Sequence, residues 1–182
     1  SYGVLPLLLE SYDLLDAGSA LGRGVGPLLI TAEENLKRPV EEYLIAIPGE
    51  NTTAHLLFSL AYPKAYNKIF LRYDDIEQFV QDGNGLGVII HENRFTYQDK
   101  GLFKITDLGD YWEKETGNPI PLGGIVMRNS FSKEIQDKAS RLIAESIRYA
   151  YAQYPELAAY VKMHAQEMSE DVMRKHIDLY VN

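Results

Sequence analysis

An α/β fold is predicted for this chain of 182 residues, and three observations predict it. Pro27-Leu28-Leu29-Ile30, Tyr43-Leu44-Ile45-Ala46-Ile47 and Gly87-Val88-Ile89-Ile90 are short, continuous apolar runs. Their length suits strands buried on both faces of a sheet. Stretches with apolar residues every three or four positions follow the second run and fill the C-terminal part, as amphipathic or buried helices do. Short connections join them, which is the pattern of crossovers in a mixed or parallel sheet.

Composition bounds the function. Hydrophobic residues make up 46%, ordinary for a globular protein, and the length suffices for one large domain or two small lobes. A formal charge of -8 argues against nucleic acid or an anionic membrane surface as partner. An anionic small-molecule substrate would have to be met by local donors. The absence of Cys excludes a disulfide framework, a zinc–thiolate site and a thiol nucleophile. No apolar run approaches the roughly 18 residues needed to span a bilayer. The apolar start has no positive n-region and soon meets Glu10 and Asp13, so it does not read as a secretory signal. A cytoplasmic location is expected. The chain begins without Met and ends on Tyr180-Val181-Asn182 within an amphipathic pattern, so both ends read as cut.

Taken in order, residues 1–15 carry Val4, Leu7, Leu8, Tyr12 and Leu15 at helical spacing, despite Pro6. Gly18, Gly22, Gly24 and Gly26 then invite a phosphate-loop reading. The context refuses it, because a dinucleotide fingerprint follows a strand and opens a helix, whereas these glycines lead into a strand. Close backbone packing or a ligand-facing turn is the better expectation. The polar stretch 31–42 marks a boundary between lobes. The second strand runs through Pro48-Gly49-Glu50-Asn51 into a largely apolar helix that starts at Thr52-Thr53. The free N–H groups and dipole of a helix start favour an anion, and two hydroxyls exceed what a simple cap requires. His55, inside this helix, reads as a packed histidine.

Residues 69–73 form a strand, and Asp74 or Asp75 can cap a helix bearing Ile76, Phe79 and Val80. After the strand Gly87-Val88-Ile89-Ile90, polarity switches at once to His91-Glu92-Asn93-Arg94. His91 therefore stands at the carboxyl end of a buried strand, where open α/β sheets place their ligand crevice. The plain alternative is a strand-ending histidine that is merely hydrogen-bonded. If the strand continues, Glu92 and Arg94 share a face that His91 does not. Residues 103–109 and 110–116 read as a strand and a short helix, with Trp112 in the core. The stretch Gly117-Asn118-Pro119-Ile120-Pro121-Leu122-Gly123-Gly124 reads as a loop, and Ile125-Val126-Met127 as a strand returning between lobes. Ser132 caps a helix with Ile135, Ala139, Leu142, Ile143, Ile147 and Ala150 on one face. Two further helices follow Tyr154-Pro155 and Ser169, and they carry His164 and His176 in structural positions. The expected lobes are 1–30 with 125–182, and 31–124.

Six stretches together resemble the 1,4-dihydroxy-6-naphthoate synthases, the lyases of the futalosine route to menaquinone. They are residues 20–27, Ile47-Pro48-Gly49-Glu50-Asn51-Thr52-Thr53, residues 88–97, Asp107-Leu108-Gly109, Pro121-Leu122-Gly123-Gly124 and residues 176–182. They occur in order and nearly end to end. The resemblance implies a two-lobed fold of the type II periplasmic-binding-protein kind, with the ligand in a cleft between lobes. It implies cyclic dehypoxanthine futalosine as substrate, cleaved to the dihydroxynaphthoate and a sugar-derived fragment. His91 falls on the family's catalytic base, Thr52 and Thr53 on its substrate-binding threonines, and Ser1 on the serine of a substrate-contacting Lys-x-Ser segment. The family carries βα structure ahead of that point, so the first lobe is expected to be truncated at its N-terminus. No cofactor is implied and no metal motif stands in the sequence. A transporter's solute receptor and the sister chorismate dehydratase share the fold and are the competing functions.

Overall fold

The computed structural model describes residues 1–91, 93–165 and 169–180. The strands are β1 (Tyr12–Leu14), β2 (Ala20–Gly22), β3 (Leu28–Thr31), β4 (Ile45–Ile47), β5 (Lys68–Phe70), β6 (Leu86–Ile89), β7 (Phe103–Asp107), β8 (Ile120–Gly123) and β9 (Val126–Arg128). The helices are α1 (Leu5–Leu8), α2 (Thr53–Ala61), α3 (Ile76–Gln81), α4 (Asn93–Thr96), α5 (Leu108–Thr116), α6 (Lys133–Gln153), α7 (Ala159–His164) and α8 (Glu170–Tyr180). Two units form, one from Ser1–Val4 with Arg23–Pro121, the other from Leu5–Gly22 with Leu122–Asn182. No helix among the described residues is long and apolar enough to cross a membrane.

The first unit is built on a mixed sheet in the order β5-β4-β6-β3-β7. β4 runs parallel to both β5 and β6, whereas β3 is antiparallel to β6 and β7. The continuous apolar runs of β3, β4 and β6 are buried residue by residue, as strands covered on both faces require. One face gathers Leu28, Ile30, Ala46 and Ile89 against Ile76 and Val80 of α3, closed by Tyr97 and Leu102. Six residues are too few to hold α3 helical alone, so burial of its two apolar anchors, about 1.5–3 kcal/mol each, sustains it. Alternation turns Leu29, Ile45, Ile47 and Val88 to the other face, where α2 and α5 lie. Gly26 and Gly109 meet there backbone to backbone, since a Cβ on Gly26 would stand 2.2 Å from the Gly109 Cα. The glycine-rich stretch thus serves close packing.

This sheet changes the expected lobe boundaries. β3 fills the sheet's interior between β6 and β7, so residues 23–30 belong with 31–121 rather than with 125–182. Ser1–Val4 joins the same unit because Gly3 lies against the start of α2, where any side chain would strike the Thr52 carbonyl. Trp112 is half-buried rather than core, its ring N–H donating to the Pro119 carbonyl at 3.0 Å.

In the second unit the expected helix over residues 1–15 is replaced by α1 and then β1. β1 pairs antiparallel with β9, Tyr12 opposite Arg128 and Leu14 opposite Val126, and this pairing overrides the local helical spacing. β8 occupies part of the stretch read as a loop. Ser132 caps α6 as expected, accepting from the Ile135 N–H, and buried Gln136 donates to Asp13 Oδ2 at 2.8 Å. His164 is exposed against the ring of Tyr160, and the side chains of His176 and Met168 lie outside what is described.

Glu170, at the start of α8, pairs with Lys162 of α7 and with Arg174. Hydrogen bonds from Lys162 and Arg174 hold its carboxyl below the ordinary glutamate value. That contribution is present above about pH 4.5 and is lost as pH falls through the lower folded value. Acidification should therefore free α7 from α8, read as faster amide exchange in α8, and Glu170→Gln should remove this acid response. Identical acid responses in the two proteins would contradict it.

Candidate active site

Three parallel strands bring their carboxyl ends to one edge of the mixed sheet. The segment after β4 leads to Thr52-Thr53, that after β5 to Tyr73, and that after β6 to His91. This is the edge where open α/β sheets bind ligands.

β6 ends at Ile89, and the chain turns sharply at His91, which adopts a left-handed backbone with φ 56°. A left-handed residue other than glycine is strained by roughly 1–3 kcal/mol and persists only where its surroundings hold it. The restraint comes from α4. Arg94 N–H donates to the His91 carbonyl at 3.3 Å, and Asn93 Nδ2 donates to Glu77 Oε2 at 2.6 Å. Arg94 donates through Nη1 to the Gly26 carbonyl at 2.6 Å and through Nη2 to Asp107 Oδ2 at 2.5 Å. Asp107 is fixed in turn, because its Oδ1 caps α5 by accepting from the Gly109 and Asp110 N–H groups. The imidazole of His91 is exposed, with the Tyr73 ring edge-on at 5.5 Å between centroids.

The strand ends at Ile89, so the case of a strand continued past His91 does not arise for Arg94. Arg94 lies on a helix and pairs with Asp107, and Glu92 lies outside the described residues. Tyr73, Arg94 and Asp107 were missed as members of this region. Only their convergence in the sheet reveals them, since the partners stand 13 or more residues apart in sequence.

At the start of α2, Thr52 is the N-cap. Its Oγ1 accepts from the His55 N–H at 3.1 Å and donates to the Gly49 carbonyl at 2.7 Å. Thr53, 5% exposed, donates its hydroxyl proton to the Pro121 carbonyl at 2.8 Å. Ser1 closes the set: its Oγ accepts from the Thr53 N–H at 2.9 Å and lies 3.0 Å from Thr53 Oγ1. Both threonine protons are thus committed to carbonyls, which can only accept. Ser1 holds the one hydroxyl proton of the three that can turn outward without abandoning a carbonyl. The structure brings Ser1, Thr52 and Thr53 together, and sets His91 beyond the neighbouring parallel strand.

His55 is satisfied as expected. Its Nδ1 lies 2.7 Å from the Glu50 carbonyl and its Nε2 3.1 Å from Lys68 Nζ.

These geometries predict distinct effects for the two threonines. Thr53→Val leaves the Pro121 carbonyl and the Ser1 hydroxyl without a buried partner, and should destabilise the fold by about 1–3 kcal/mol. Thr52→Val removes a cap and should lower stability by about 0.5–2 kcal/mol. If Ser1 binds ligand as Thr53 positions it, only Thr53→Val should also weaken ligand affinity by several-fold in calorimetry. Equal affinities in the two variants would leave both threonines with purely structural roles.

A family model described as menaquinone biosynthesis matches residues 1–182. A Streptomyces coelicolor protein named 1,4-dihydroxy-6-naphthoate synthase is 41% identical over 188 residues, spanning 100% of this chain and 66% of that protein. A Thermus thermophilus protein of the same name is 39% identical over 183 residues, again with 100% and 66% spanned. The chain spans about two thirds of the length of these curated relatives. Among solved structures, protein AF1704 from Archaeoglobus fulgidus is 31% identical with a TM-score of 0.80, over 99% of this chain and 67% of that one. An ABC transporter from Parabacteroides distasonis is 14% identical with a TM-score of 0.50, over 98% of this chain and 64% of its own. The second likeness bears on the fold alone, which is α/β and periplasmic-binding-protein-like, as the sequence predicts.

Proposed function

Because this chain belongs to the menaquinone biosynthesis family, we propose that it carries the active-site unit of a carbon–carbon lyase. The lyase converts cyclic dehypoxanthine futalosine to 1,4-dihydroxy-6-naphthoate in the cytoplasm, with His91 as general base. The observation that carries this reading is His91 itself: an exposed imidazole in a strained left-handed turn at the carboxyl end of β6. Backbone strain of this kind clusters at functional sites, which supports a functional role for His91.

A base that starts carbon–carbon cleavage must be neutral at working pH, and histidine as a residue type, with a pKa near 6.5, meets that need. Its neutral imidazole takes a proton from the substrate, and formation of an aromatic product drives the cleavage. The start of α2 anchors the substrate's carboxylate. Ser1 turns its hydroxyl from Thr53 to the anion while still accepting from the Thr53 N–H, and the helix dipole adds to the attraction. Thr53 holds Ser1 in place and so acts on the substrate through it, while Thr52 keeps the helix start formed as its cap. Fixing the carboxylate aligns the reacting sugar with His91, which converts binding into proximity.

Steady-state assay with cyclic dehypoxanthine futalosine, products read by mass spectrometry, tests the reading. Appearance of 1,4-dihydroxy-6-naphthoate is expected. Turnover of chorismate instead would assign the chain to the sister dehydratase.

A further inference from the structure

We propose that Lys68 is a covalent modification site, its ε-amine taking an acyl group from an acyl thioester with His55 and Ser59 as its controlling neighbours. The inference stands apart from the reaction proposed above and uses none of its residues.

Lys68 lies on β5, an edge strand of the sheet, and is half-buried beside α2. Its Nζ donates to Ser59 Oγ at 2.8 Å, lies 3.1 Å from His55 Nε2 and stands 5.5 Å from the centre of the Phe58 ring. The tautomer of His55 follows from its other nitrogen. The Glu50 carbonyl, 2.7 Å from Nδ1, can only accept, so Nδ1 carries the proton and Nε2 presents its lone pair to the amine.

No carboxylate among the described residues pairs with the ammonium. Among the described residues, Lys37, Lys100, Lys133 and Lys162 each pair with Asp or Glu, and Lys68 enters no ion pair. β4, the strand beside β5, contributes only Ile45, Ala46 and Ile47. Burial without counter-charge disfavours the charged form, and it holds the Lys68 amine below the ordinary lysine value. Lys133 is the opposite case, raised by its hydrogen bond to Asp137.

The chemistry balances. Lys68 first yields a proton to solvent, leaving the free amine and a neutral His55. The nitrogen lone pair attacks the thioester carbonyl carbon, the C–N bond forms, and the C–S bond breaks to release thiolate. The remaining excess proton passes from nitrogen to His55 Nε2, and then to the thiolate or to solvent. Amine and thioester become amide and thiol, with no oxidant or reductant.

The test is incubation of the folded protein with acetyl coenzyme A near neutral pH, with acetylation of each lysine followed by peptide mass spectrometry. Lys68 should acetylate at least ~3-fold faster than Lys133, and His55→Gln should bring Lys68 down to the Lys133 rate. The wild-type comparison stands without the variant. Acetylation of Lys68 no faster than Lys133, or an unchanged Lys68 rate in folded His55→Gln, would overturn the proposal.

Discussion

Replacing His91 by asparagine is expected to lower turnover at least ~10²-fold while leaving substrate binding nearly intact. Asparagine suits this test because it tolerates the left-handed region better than other non-glycine residues, so the turn at φ 56° should survive. It keeps a polar side chain of similar reach and removes only the base. A loss of ~10²-fold corresponds to about 2.7 kcal/mol of barrier, within the ~10²–10⁴-fold typical of a positioned general base. Replacing His55 or His164 should affect turnover only through stability, since one is tied to Glu50 and Lys68 and the other stands exposed against Tyr160. Steady-state rates with calorimetric binding would separate these outcomes. Wild-type turnover in His91→Asn would remove the base assignment.

The second large effect belongs to Arg94. Its pair with Asp107 is nearly sequestered, the side chains 16% and 7% exposed. Removing one partner of such a pair leaves a buried charge uncompensated, a loss of about 3–5 kcal/mol. Arg94→Met should therefore destabilise the protein by that amount in denaturant unfolding, and it also strips the Gly26 carbonyl of its donor. This is a large share of the roughly 5–15 kcal/mol that holds a typical domain folded. The comparison within the chain is Arg72, whose pair with Asp74 is 73% and 45% exposed. Arg72→Met should change stability by no more than about 1 kcal/mol, because exposed pairs are solvated and screened. Because α4 holds the His91 turn, folded Arg94→Met should also lose turnover. A stability change below about 1 kcal/mol for Arg94→Met would show that the pair does not organise this edge.

The sequence made the sheet's interior legible because its signals are local. Apolar runs predicted β3, β4 and β6, and the polarity switch after Ile90 placed His91 at a strand end. The strand-to-helix passage into Thr52-Thr53 was legible for the same reason. What escaped depended on partners remote in sequence. The pairing of Tyr12 with Arg128 makes β1 a strand where local spacing reads as helix. The left-handed turn at His91 carries no composition signal, since its restraints come from Glu77, Gly26 and Asp107. The hydroxyl set at α2 likewise needs Ser1, which lies 52 positions from Thr53. Counting two threonines predicted two donors to an anion, whereas the folded chain commits both to carbonyls and leaves Ser1 as the donor.

A single-turnover experiment tests the central claim most directly. With protein in excess over cyclic dehypoxanthine futalosine, quenched samples followed by mass spectrometry should show all bound substrate passing to 1,4-dihydroxy-6-naphthoate and a sugar-derived fragment. Stoichiometric binding with the substrate recovered intact would contradict the lyase and leave a receptor in its place.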